Sequence, residues 1–353
     1  MLKIGIVGLA QVGKTTFFRI VTKSHGTGLS TGRAESHVAV VSVPDPRLDR
    51  LSNMFHPRKT IPANIEYVDT PGSVIDLARA GLESAALREV QALAHVVRAF
   101  DAEPGGLLRD LETVELELIL SDLSLIEKRL ERLEKDIKKQ KNPALELELQ
   151  TLSRCKVALE QQQPLREAAL SPDLERVVKG FMFYSLKPVL YILNLAEKDV
   201  ARTGQAEEFA RAAGLKHKPH TMITAICGKV EAELAELGEM EGAEFMRSFG
   251  LAESAIARVI RSSYQLLGLI SFFTVGEDEC RAWTLRSGAT ALEAAGEIHS
   301  DIQRGFIRAE VVAYDDLVAC GSLAEARNRG RLRLEGKEYL VKDGEIVHFR
   351  HSG

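Results

Sequence analysis

Short apolar runs rich in β-branched residues recur through residues 2–100 and again through residues 188–226. Amphipathic stretches, with apolar residues three and four positions apart, follow several of these runs. This alternation predicts an α/β domain with a mostly parallel sheet, which carries its ligands at the carboxyl ends of the strands. The predicted strands are Leu2–Val7, Val38–Val43, Asn64–Val68, His95–Phe100, Pro188–Asn194 and Met222–Ile226.

A heptad pattern occupies the middle of the chain. Asn142 and Pro143 interrupt it, and leucines resume the pattern from Leu145. We therefore predict two antiparallel helices, which form a coiled-coil hairpin over Leu111–Gln163. The hairpin either packs on its own domain or projects as an arm for a protein partner, and its charges suit both arrangements. The apolar positions of the first helix are Leu123, Ile126, Leu130, Leu133 and Ile137.

The pattern changes again after Leu266, where shorter apolar runs separate polar turns. Two hairpins are predicted, the second around Lys342-Asp343-Gly344. The resulting ββαβ…ββ order predicts a small β-grasp-like domain. Its predicted elements are the strands Ile270–Val275 and Glu279–Leu285, the helix Thr290–Arg304, the strand Phe306–Val312, and the strands Glu338–Val341 and Glu345–Arg350.

These patterns divide the chain into three predicted domains. Residues 1–108 and 178–263 form the α/β domain, residues 109–177 a helical insertion, and residues 266–350 the C-terminal domain. Within the first domain, His25–His37 is rich in Gly, Ser and Thr and predicts a mobile loop. Pro44–Asp49 predicts a turn that leads into a helix.

Composition narrows the class of protein. The 353 residues are 45% hydrophobic and 27% charged, with a net charge of −4, so bulk charge gives no argument for nucleic-acid binding. The four cysteines lie far apart, which argues against a zinc site or a disulfide framework. No apolar run approaches the length of a membrane span. We expect a cytoplasmic protein with no membrane contact.

The segment Gly8–Thr15 has the sequence G-x-x-x-x-G-K-T between a predicted strand and a predicted helix. In this context the glycines let backbone N–H groups approach phosphate oxygens, and the helix N-terminus favours an anion. Lys14 would reach the β- and γ-phosphates, and the Thr15 hydroxyl would bind Mg²⁺. The candidate phosphate-binding residues are Gly8, Gln11, Val12, Gly13, Lys14, Thr15 and Thr16.

A second nucleotide motif, D-x-x-G, begins at Asp69, directly after a predicted strand. Its carboxylate can hold Mg²⁺ through water, and the N–H of Gly72 can sense a γ-phosphate. The motif is weak alone, because D-x-x-G is often only a turn. Thr15, through its hydroxyl group, and Asp69, through its carboxylate, are the predicted metal ligands.

The base site is predicted at Asn194-Leu195-Ala196-Glu197, after a buried strand. Guanine-specific proteins of this fold use N-K-x-D, in which the Asp accepts two hydrogen bonds from guanine. Glu197 is one methylene longer than that Asp, so a bidentate guanine contact is misaligned, which favours ATP over GTP. In the alternative, Asn194 only caps the strand and Glu197 is a solvated helix start. Cys227 and Gly228, after the next strand, complete the candidate site.

Together these residues resemble the YchF/Obg-like ATPases, which belong to the Obg branch of the translation-factor-type GTPases. The resemblance covers nearly the whole chain, and its C-terminal block looks like the family's TGS domain. It implies a nucleotide-binding domain, a helical insertion, a TGS domain and association with the ribosome. The matching segments are Gly8–Thr15, Val43–Asp49, Asn194–Glu197, Val230–Leu237, Arg281–Leu285, Ala294–Asp301 and Gly305–Asp316.

The sequence departs from this family at positions that matter for hydrolysis. Arg33–His37 lacks the family's Mg²⁺-binding Thr, unless Thr31 substitutes, and Ser73–Leu87 has fewer glycines and no lysine. Ser73 stands where many GTPases carry a water-positioning Gln, and the family's alternative histidine, which follows the strand at Val97-Arg98, is missing. His95 is expected in the core, while His25 and His37 remain candidates. No catalytic residue is predicted, so intrinsic turnover should be slow.

An arginine-rich stretch near the C-terminus is the local candidate for RNA binding. The alternative is an ordinary charged surface balanced by neighbouring glutamates, and the TGS resemblance favours ribosomal RNA. The sequence therefore predicts a slowly hydrolysing ATP-binding protein that docks on the ribosome. A nucleotide-gated binding module without turnover and a GTP-binding switch are the alternatives. The basic residues are Arg327, Arg329, Arg331, Arg333 and Lys337, with Arg304 and Arg308 nearby.

Overall fold

A computed structural model describes residues 2–31, 37–70, 85–100, 105–140, 142–168 and 170–352. The chain divides into two compact units. The first contains Met1–Val41 and Glu66–Leu266, and the second contains Ser42–Ile65 and Leu267–Gly353. Sequence patterns did not indicate that residues 42–65 group with the C-terminal part of the chain. No helix among the described residues is both long and apolar enough to cross a membrane.

The first sheet has the strand order β2-β3-β5-β1-β6-β7-β8 in the described part of the chain. β1 pairs in parallel with β5 and β6, β6 with β7, and β7 with β8, so the predicted α/β fold is confirmed. The strands are β1 (Lys3–Val7), β2 (Gly26–Thr31), β3 (His37–Ser42), β5 (Asn64–Asp69), β6 (Ala92–Arg98), β7 (Val189–Asn194) and β8 (Thr221–Ile226).

The helices of the first unit cover this sheet and extend from it. Apolar side chains of β1, β6 and β7 meet those of the long helix α4 (Gly106–Lys139) in one buried core. The helices are α1 (Lys14–His25), α3 (Ala85–Arg88), α4 (Gly106–Lys139), α5 (Pro143–Glu160), α6 (Pro172–Val178), α7 (Ala206–Ala212), α8 (Gly228–Leu234), α9 (Glu239–Ser248) and α10 (Ala255–Leu266), with 3₁₀ turns at Leu165–Glu167, Lys179–Phe181 and Glu197–Gln205.

Two packed helices lie where the heptad pattern predicts them. α4 and α5 are separated at Asn142, whose side chain accepts a hydrogen bond from Ala144 N and so caps α5. Arg129 on α4 donates to Glu148 on α5 at 2.7 and 2.9 Å. A second ion pair joins Lys156, late in α5, to Glu127. Later residues of α5 thus meet earlier residues of α4, as in an antiparallel pair.

The second sheet has the described strand order β12-β11-β13-β9-β10-β4. β9 and β10 form the predicted hairpin, while β13 lies between β11 and β9. Its strands are β4 (Lys59–Ile61), β9 (Leu269–Thr274), β10 (Glu279–Arg286), β11 (Phe306–Val312), β12 (Arg333–Glu335) and β13 (Ile346–His351). The unit's helices are α2 (Pro46–Phe55), α11 (Ala291–Ile298), α12 (Ser300–Arg304), α13 (Tyr314–Cys320) and α14 (Leu323–Asn328).

The predicted loop at His25–His37 is wrong over Gly26–Thr31. That segment is strand β2, which pairs antiparallel with β3 at the edge of the first sheet. Glycine and serine lower strand propensity, but main-chain pairing with a neighbouring strand overrides this weak preference. The remainder of the predicted loop, residues 32–36, lies outside the described residues.

Two predictions for the C-terminal domain are also wrong. The helix Thr290–Arg304 is broken at His299, which is extended (φ −164°, ψ 142°) and whose Nδ1 accepts from Asp301 N to begin α12. The second hairpin does not form, because β13 pairs with β11 and β9 rather than with Glu338–Val341. The turn signal concerns only a few neighbouring residues, whereas the strands that pair with β13 depend on the packing of the whole sheet.

Candidate functional site

The loop between β1 and α1, which is the candidate phosphate-binding loop, turns through three residues of positive φ. Gly8 (φ 148°), Gln11 (φ 62°) and Gly13 (φ 103°) all lie in the positive-φ region. A Cβ atom at Gly8 would stand 2.4 Å from Val96 O, and one at Gly13 would stand 2.6 Å from Asn194 Nδ2. Both positions therefore require glycine, for conformation as well as for space.

Lys14 is held at the centre of this loop. Its Nζ donates to Gly8 O at 3.1 Å and to Leu9 O at 2.6 Å. These bonds bring the ammonium back over the loop whose N–H groups would receive phosphate. Both bonds fix the position of a long side chain, so part of the entropic cost of ordering it is already met within the protein.

The other loop candidates differ in what they expose. The side chains of Gln11, Thr15 and Thr16 are exposed, so their polar atoms are accessible at the start of α1. Val12 is buried, and its carbonyl is already occupied by a hydrogen bond. Val12 can therefore take part only through its backbone.

Asp69 ends strand β5, beside β1 in the first sheet. Burial raises the pKa of its carboxyl group, while the nearby charges of Lys14 and His37 lower it. Such a desolvated carboxylate favours a neighbouring cation. Gly72, the other residue of this motif, lies outside the described residues.

The chemistry of the donors fits Mg²⁺. Thr15 and Asp69 provide hydroxyl and carboxylate oxygens, which are the ligands this ion takes. No group of three or more His, Cys, Asp or Glu side chains in the described ranges could hold a metal by itself. A site that relies on two protein oxygens and the substrate's phosphates agrees with both observations.

Asn194 joins three parts of the site. Its Nδ2 donates to Val12 O at 3.0 Å, and its Oδ1 accepts from Gly228 N at 2.9 Å. The side chain is only 7% exposed, so both bonds are shielded from water. The side chain of Asn194 thereby connects the end of β7 to the candidate phosphate-binding loop and to the start of α8, and it acts as a brace between them.

The remaining base-site candidates separate into buried and exposed residues. The side chains of Leu195 and Cys227 are buried in hydrophobic clusters, so only their backbones can face a ligand. Glu197 is exposed, and its Oε2 lies 2.5 Å from Nζ of Lys229, in the first turn of α8. Sequence reasoning missed Lys229, although it follows the strand next to the one that precedes Glu197.

The histidines fall in two different environments. His95 is 4% exposed, and burial, aided by the charges of Arg166 and Lys14, lowers its pKa to about 3. It is a core residue, as predicted. His37 is exposed at the start of β3 and is close enough to Asp69 to affect that carboxyl group. The side chain of His25 lies outside what the structure describes.

Comparison with known proteins gives matches along almost the entire chain. The Ribosome-binding ATPase YchF of Bacillus subtilis (strain 168) is 40% identical over 361 residues, covering 99% of this chain and 98% of that protein. The Haemophilus ducreyi protein of the same name is 38% identical over 363 residues, covering 99% of each.

A solved structure and a family model agree with these relatives. The structure of the Schizosaccharomyces pombe YchF GTPase matches with a TM-score of 0.82 and 30% identity, covering 99% of this chain and 97% of that one. The family model YchF-GTPase_C, described as "Protein of unknown function (DUF933)", matches residues 269–352.

Proposed function

The chain belongs to the YchF family, and on that premise we propose that it is a ribosome-binding ATPase working through the loop Gly8–Thr15. The observation that carries this proposal is the brace formed by Asn194. One buried amide fixes the phosphate loop against the segment that starts α8, so the phosphate and base sites keep a constant separation. Such preorganisation lowers the entropic cost of binding a nucleotide.

Each residue of the loop has a defined task in this proposal. Lys14 moves its ammonium from the loop carbonyls to the β- and γ-phosphate oxygens and neutralises their charge. Thr15 and Asp69 would hold Mg²⁺, which when bound supplies charge compensation between the phosphates. The backbone N–H groups from Gly8 to Thr15 then surround the phosphates.

ATP is the preferred nucleotide in this proposal. Lys229 is paired with Oε2 of Glu197, so a base that uses this carboxylate as its acceptor competes with the ammonium group. A site whose acceptor is already engaged discriminates against a ligand that needs it. A GTP-binding switch is the alternative, and replacing Lys229 by Met should lower the preference for ATP over GTP if the ion pair sets it.

Slow turnover is part of the proposal. His37 lies near Asp69, whereas His95 is buried, neutral and unable to reach solvent. A partner that supplies a water-positioning group would raise the rate, as in other phosphoryl-transfer proteins. If no condition, including added ribosomes, produces hydrolysis, the chain is instead a nucleotide-gated binding module.

We also propose a TGS domain at residues 266–350, ribosomal RNA as its contact, and a cytoplasmic location. Most of the predicted basic stretch is already paired with carboxylates. Arg308 and Lys337 are exposed and form no ion pair within the described ranges, so they are the better candidates for phosphate contacts. The paired residues are Arg327 with Glu310, Arg329 with Glu325, Arg331 with Asp316, and Arg333 with Glu335 and Glu345.

The helical insertion, residues 109–177, is proposed as an arm for a protein partner. Its helices α4 and α5 share one apolar cluster, so packing alone explains much of the heptad pattern. The proposal therefore rests on the exposed apolar side chains that remain on both helices, such as Leu120 and Leu147.

The decisive experiment replaces Lys14 by Ala in the full chain. Loss of a charge-assisted contact to each of two phosphates should weaken ATP binding at least ~100-fold, measured by titration calorimetry with Mg²⁺. Lys23→Ala is the matched control, because it removes an exposed lysine from the same helix and should leave affinity unchanged. Unchanged affinity in Lys14→Ala would exclude the loop as the site. Co-sedimentation with ribosomes tests the partner separately.

A further inference from the structure

The start of helix α10 is held by a buried carboxylate from α8. Glu231 of α8 is 3% exposed, and its Oε1 accepts from Ala255 N at 2.8 Å. Its Oε2 accepts from the hydroxyl of Ser254 at 2.9 Å and from Ile256 N at 3.4 Å. A carboxylate at this end satisfies N–H groups that have no partner within the helix, and the helix dipole favours its charge. The first turn of α10 is therefore fixed to the helix that starts at Gly228.

Arg258, in the first turn of α10, makes a second connection back to the base site. Its Nη2 donates to Thr203 O at 3.0 Å and to Ala225 O at 3.1 Å. Thr203 lies in the 3₁₀ turn that begins at Glu197, and Ala225 lies in β8, two residues before Cys227. One guanidinium group thus joins the two segments that carry the base-site candidates beyond β7.

The surroundings of Arg258 strengthen these two bonds. Its side chain is 23% exposed, and burial lowers the pKa of the guanidinium group. The carboxylate of Glu253 lies 3.8 Å from Nη1, beyond hydrogen-bond distance. Hydrogen bonds from a charged donor are stronger than neutral ones, and a partly buried setting strengthens them further. Removing the guanidinium group would release both carbonyl groups at once.

The contacts of α8 and α10 complete those already made by Asn194. The N–H of Gly228 donates to Asn194 Oδ1, and Leu195 N donates to Ile226 O at 2.7 Å, so the ends of β7 and β8 are joined. Glu231 and Arg258 add the 3₁₀ turn and α8 to this set from the side of α10. Glu231 also belongs to the segment 230–237, which resembles the YchF/Obg-like ATPases but supplies none of the candidate ligand-binding residues.

We propose that Glu231 and Arg258 are positioning residues for the nucleotide base, a role that rests on the function proposed above. They fix the separation between Glu197 and the backbone at Gly228, on either side of the base. Groups that distinguish similar ligands must be held to within about 0.5 Å by the residues that support them. Discrimination between adenine and guanine therefore depends on the first turn of α10, whereas phosphate binding does not.

The test compares ATP and GTP in Arg258→Met, which keeps the apolar stem of the side chain and removes its donors. The Kd of each nucleotide is measured by titration calorimetry on the full chain with Mg²⁺. ATP binding should weaken at least ~10-fold, as expected for the loss of hydrogen bonds from a charged group. The preference ratio, which is the Kd for GTP divided by the Kd for ATP, should move toward one. A general loosening of the protein would weaken both nucleotides alike and leave this ratio unchanged.

Three further variants control the measurement. Arg261→Met is the matched control, because Arg261 lies one turn further along α10 and its described ion pair is with Glu253, so the ratio should not change. Glu231→Gln keeps one acceptor oxygen and should shift the ratio in the same direction as Arg258→Met, but by less. Arg258→Lys keeps a charged donor and should retain part of the preference. If Arg258→Met melts below the assay temperature, Arg258→Lys and Glu231→Gln carry the test.

The inference is overturned if the ratio in Arg258→Met equals that of the wild type, or if Arg261→Met changes it as much. Either result leaves the proposed function intact, because ATP still binds. If the wild type instead prefers GTP, the proposed base preference is wrong, yet the ratio in Arg258→Met should still move toward one. A wild-type ratio of one, or no nucleotide binding, refutes the proposed base preference and this inference together.

Discussion

The helix α4 carries two buried ion pairs, two turns apart, that differ in how completely they are satisfied. Asp122 pairs with Arg88 at 3.4 Å, and Glu115 pairs with Arg166. In both, a carboxylate on α4 meets an arginine from elsewhere in the first unit. The hydrogen bonds around each pair differ. The pair at Asp122 is enclosed within the fold, whereas Glu115 lines a cavity.

The pair at Asp122 is fully enclosed by hydrogen bonds. Its carboxylate, 0% exposed, accepts from Tyr184 N at 3.0 Å and from Ser185 N at 2.7 Å. Arg88 stacks over the Tyr184 ring at 4.3 Å, and its carbonyl accepts from Lys187 Nζ at 2.8 Å. Burial raises the pKa of Asp122, and the two N–H donors oppose that shift.

The pair at Glu115 lacks this enclosure. One carboxylate oxygen and one guanidinium nitrogen have no hydrogen-bond partner among the described residues, although both are buried. Arg166 Nη1 does reach Ser185 O at 3.3 Å, so the arginine is anchored. A buried pair is a reliable structural element only when its remaining lone pairs and protons are satisfied. The contrast indicates that the pair at Asp122 contributes to stability, whereas the pair at Glu115 is only partly compensated by hydrogen bonds.

The largest expected loss of stability comes from breaking the ion pair between Asp122 and Arg88. Asp122→Ala removes the carboxylate that compensates the charge of Arg88 and accepts from the N–H groups of Tyr184 and Ser185, which should cost ~3–5 kcal/mol of unfolding free energy. Urea denaturation measures this loss. Asp122→Asn keeps an acceptor for a backbone N–H group and should lose ~1–3 kcal/mol less. Equal losses in the two variants would mean that the backbone contacts contribute nothing.

A smaller loss of unfolding free energy is expected at the pair of Glu115 and Arg166, and here the double replacement should behave differently from the single ones. Glu115→Leu or Arg166→Leu alone leaves one buried charge and should cost ~3 kcal/mol. The double replacement removes both charges and should lie within ~1–2 kcal/mol of the wild type, giving a strong non-additivity in a double-mutant cycle. The double replacement of Asp122 and Arg88 should not regain the lost stability, because Asp122 also accepts hydrogen bonds from two backbone N–H groups. Additive losses at Glu115 and Arg166 would contradict the comparison.

The smallest expected effect is the pH dependence of stability that arises from His95, which lies near Arg166. His95 has a folded-state pKa of about 3, lowered first by burial and then by the charge of Arg166, whereas the unfolded value is the ordinary 6.5. Between these values the unfolded state binds the proton, so stability falls as pH drops below 6.5. The slope should approach ~1.4 kcal/mol per pH unit. His95→Phe should lose this part of the acid sensitivity, measured by urea denaturation at pH 5.5 and pH 7, and an unchanged difference would show that His95 does not titrate there.

The strand and helix that flank the candidate phosphate-binding loop were predictable because the signals for them are local. Gly8, Gly13 and Lys14 lie within seven residues, and the flanking apolar runs specify the strand and helix that position them. Periodicity likewise predicted most strands of the first sheet and the two packed helices. Such patterns suffice when the residues that interact are neighbours along the chain.

The sequence did not predict which strands pair, or which side chains bond, across long distances along the chain. β13 carries a turn signal before it, yet it joins β11 and β9, and β4 joins the sheet of the C-terminal unit. Strand patterning states which face is apolar but not which strand lies alongside. The bond from Asn194 to Val12 spans 182 residues, and no local pattern encodes it.

The sequence by itself determined the α/β class, the position of the helical segment and the place of the candidate phosphate-binding loop between a strand and a helix. Only the tertiary structure decided that Asn194 is a brace, that Leu195 is a core residue, and that Lys229 faces Glu197. It also decided which of two similar carboxylates on α4 is enclosed and which lines a cavity. The physical reason is that burial and hydrogen-bond satisfaction depend on every neighbour of an atom, and most of those neighbours come from distant parts of the chain.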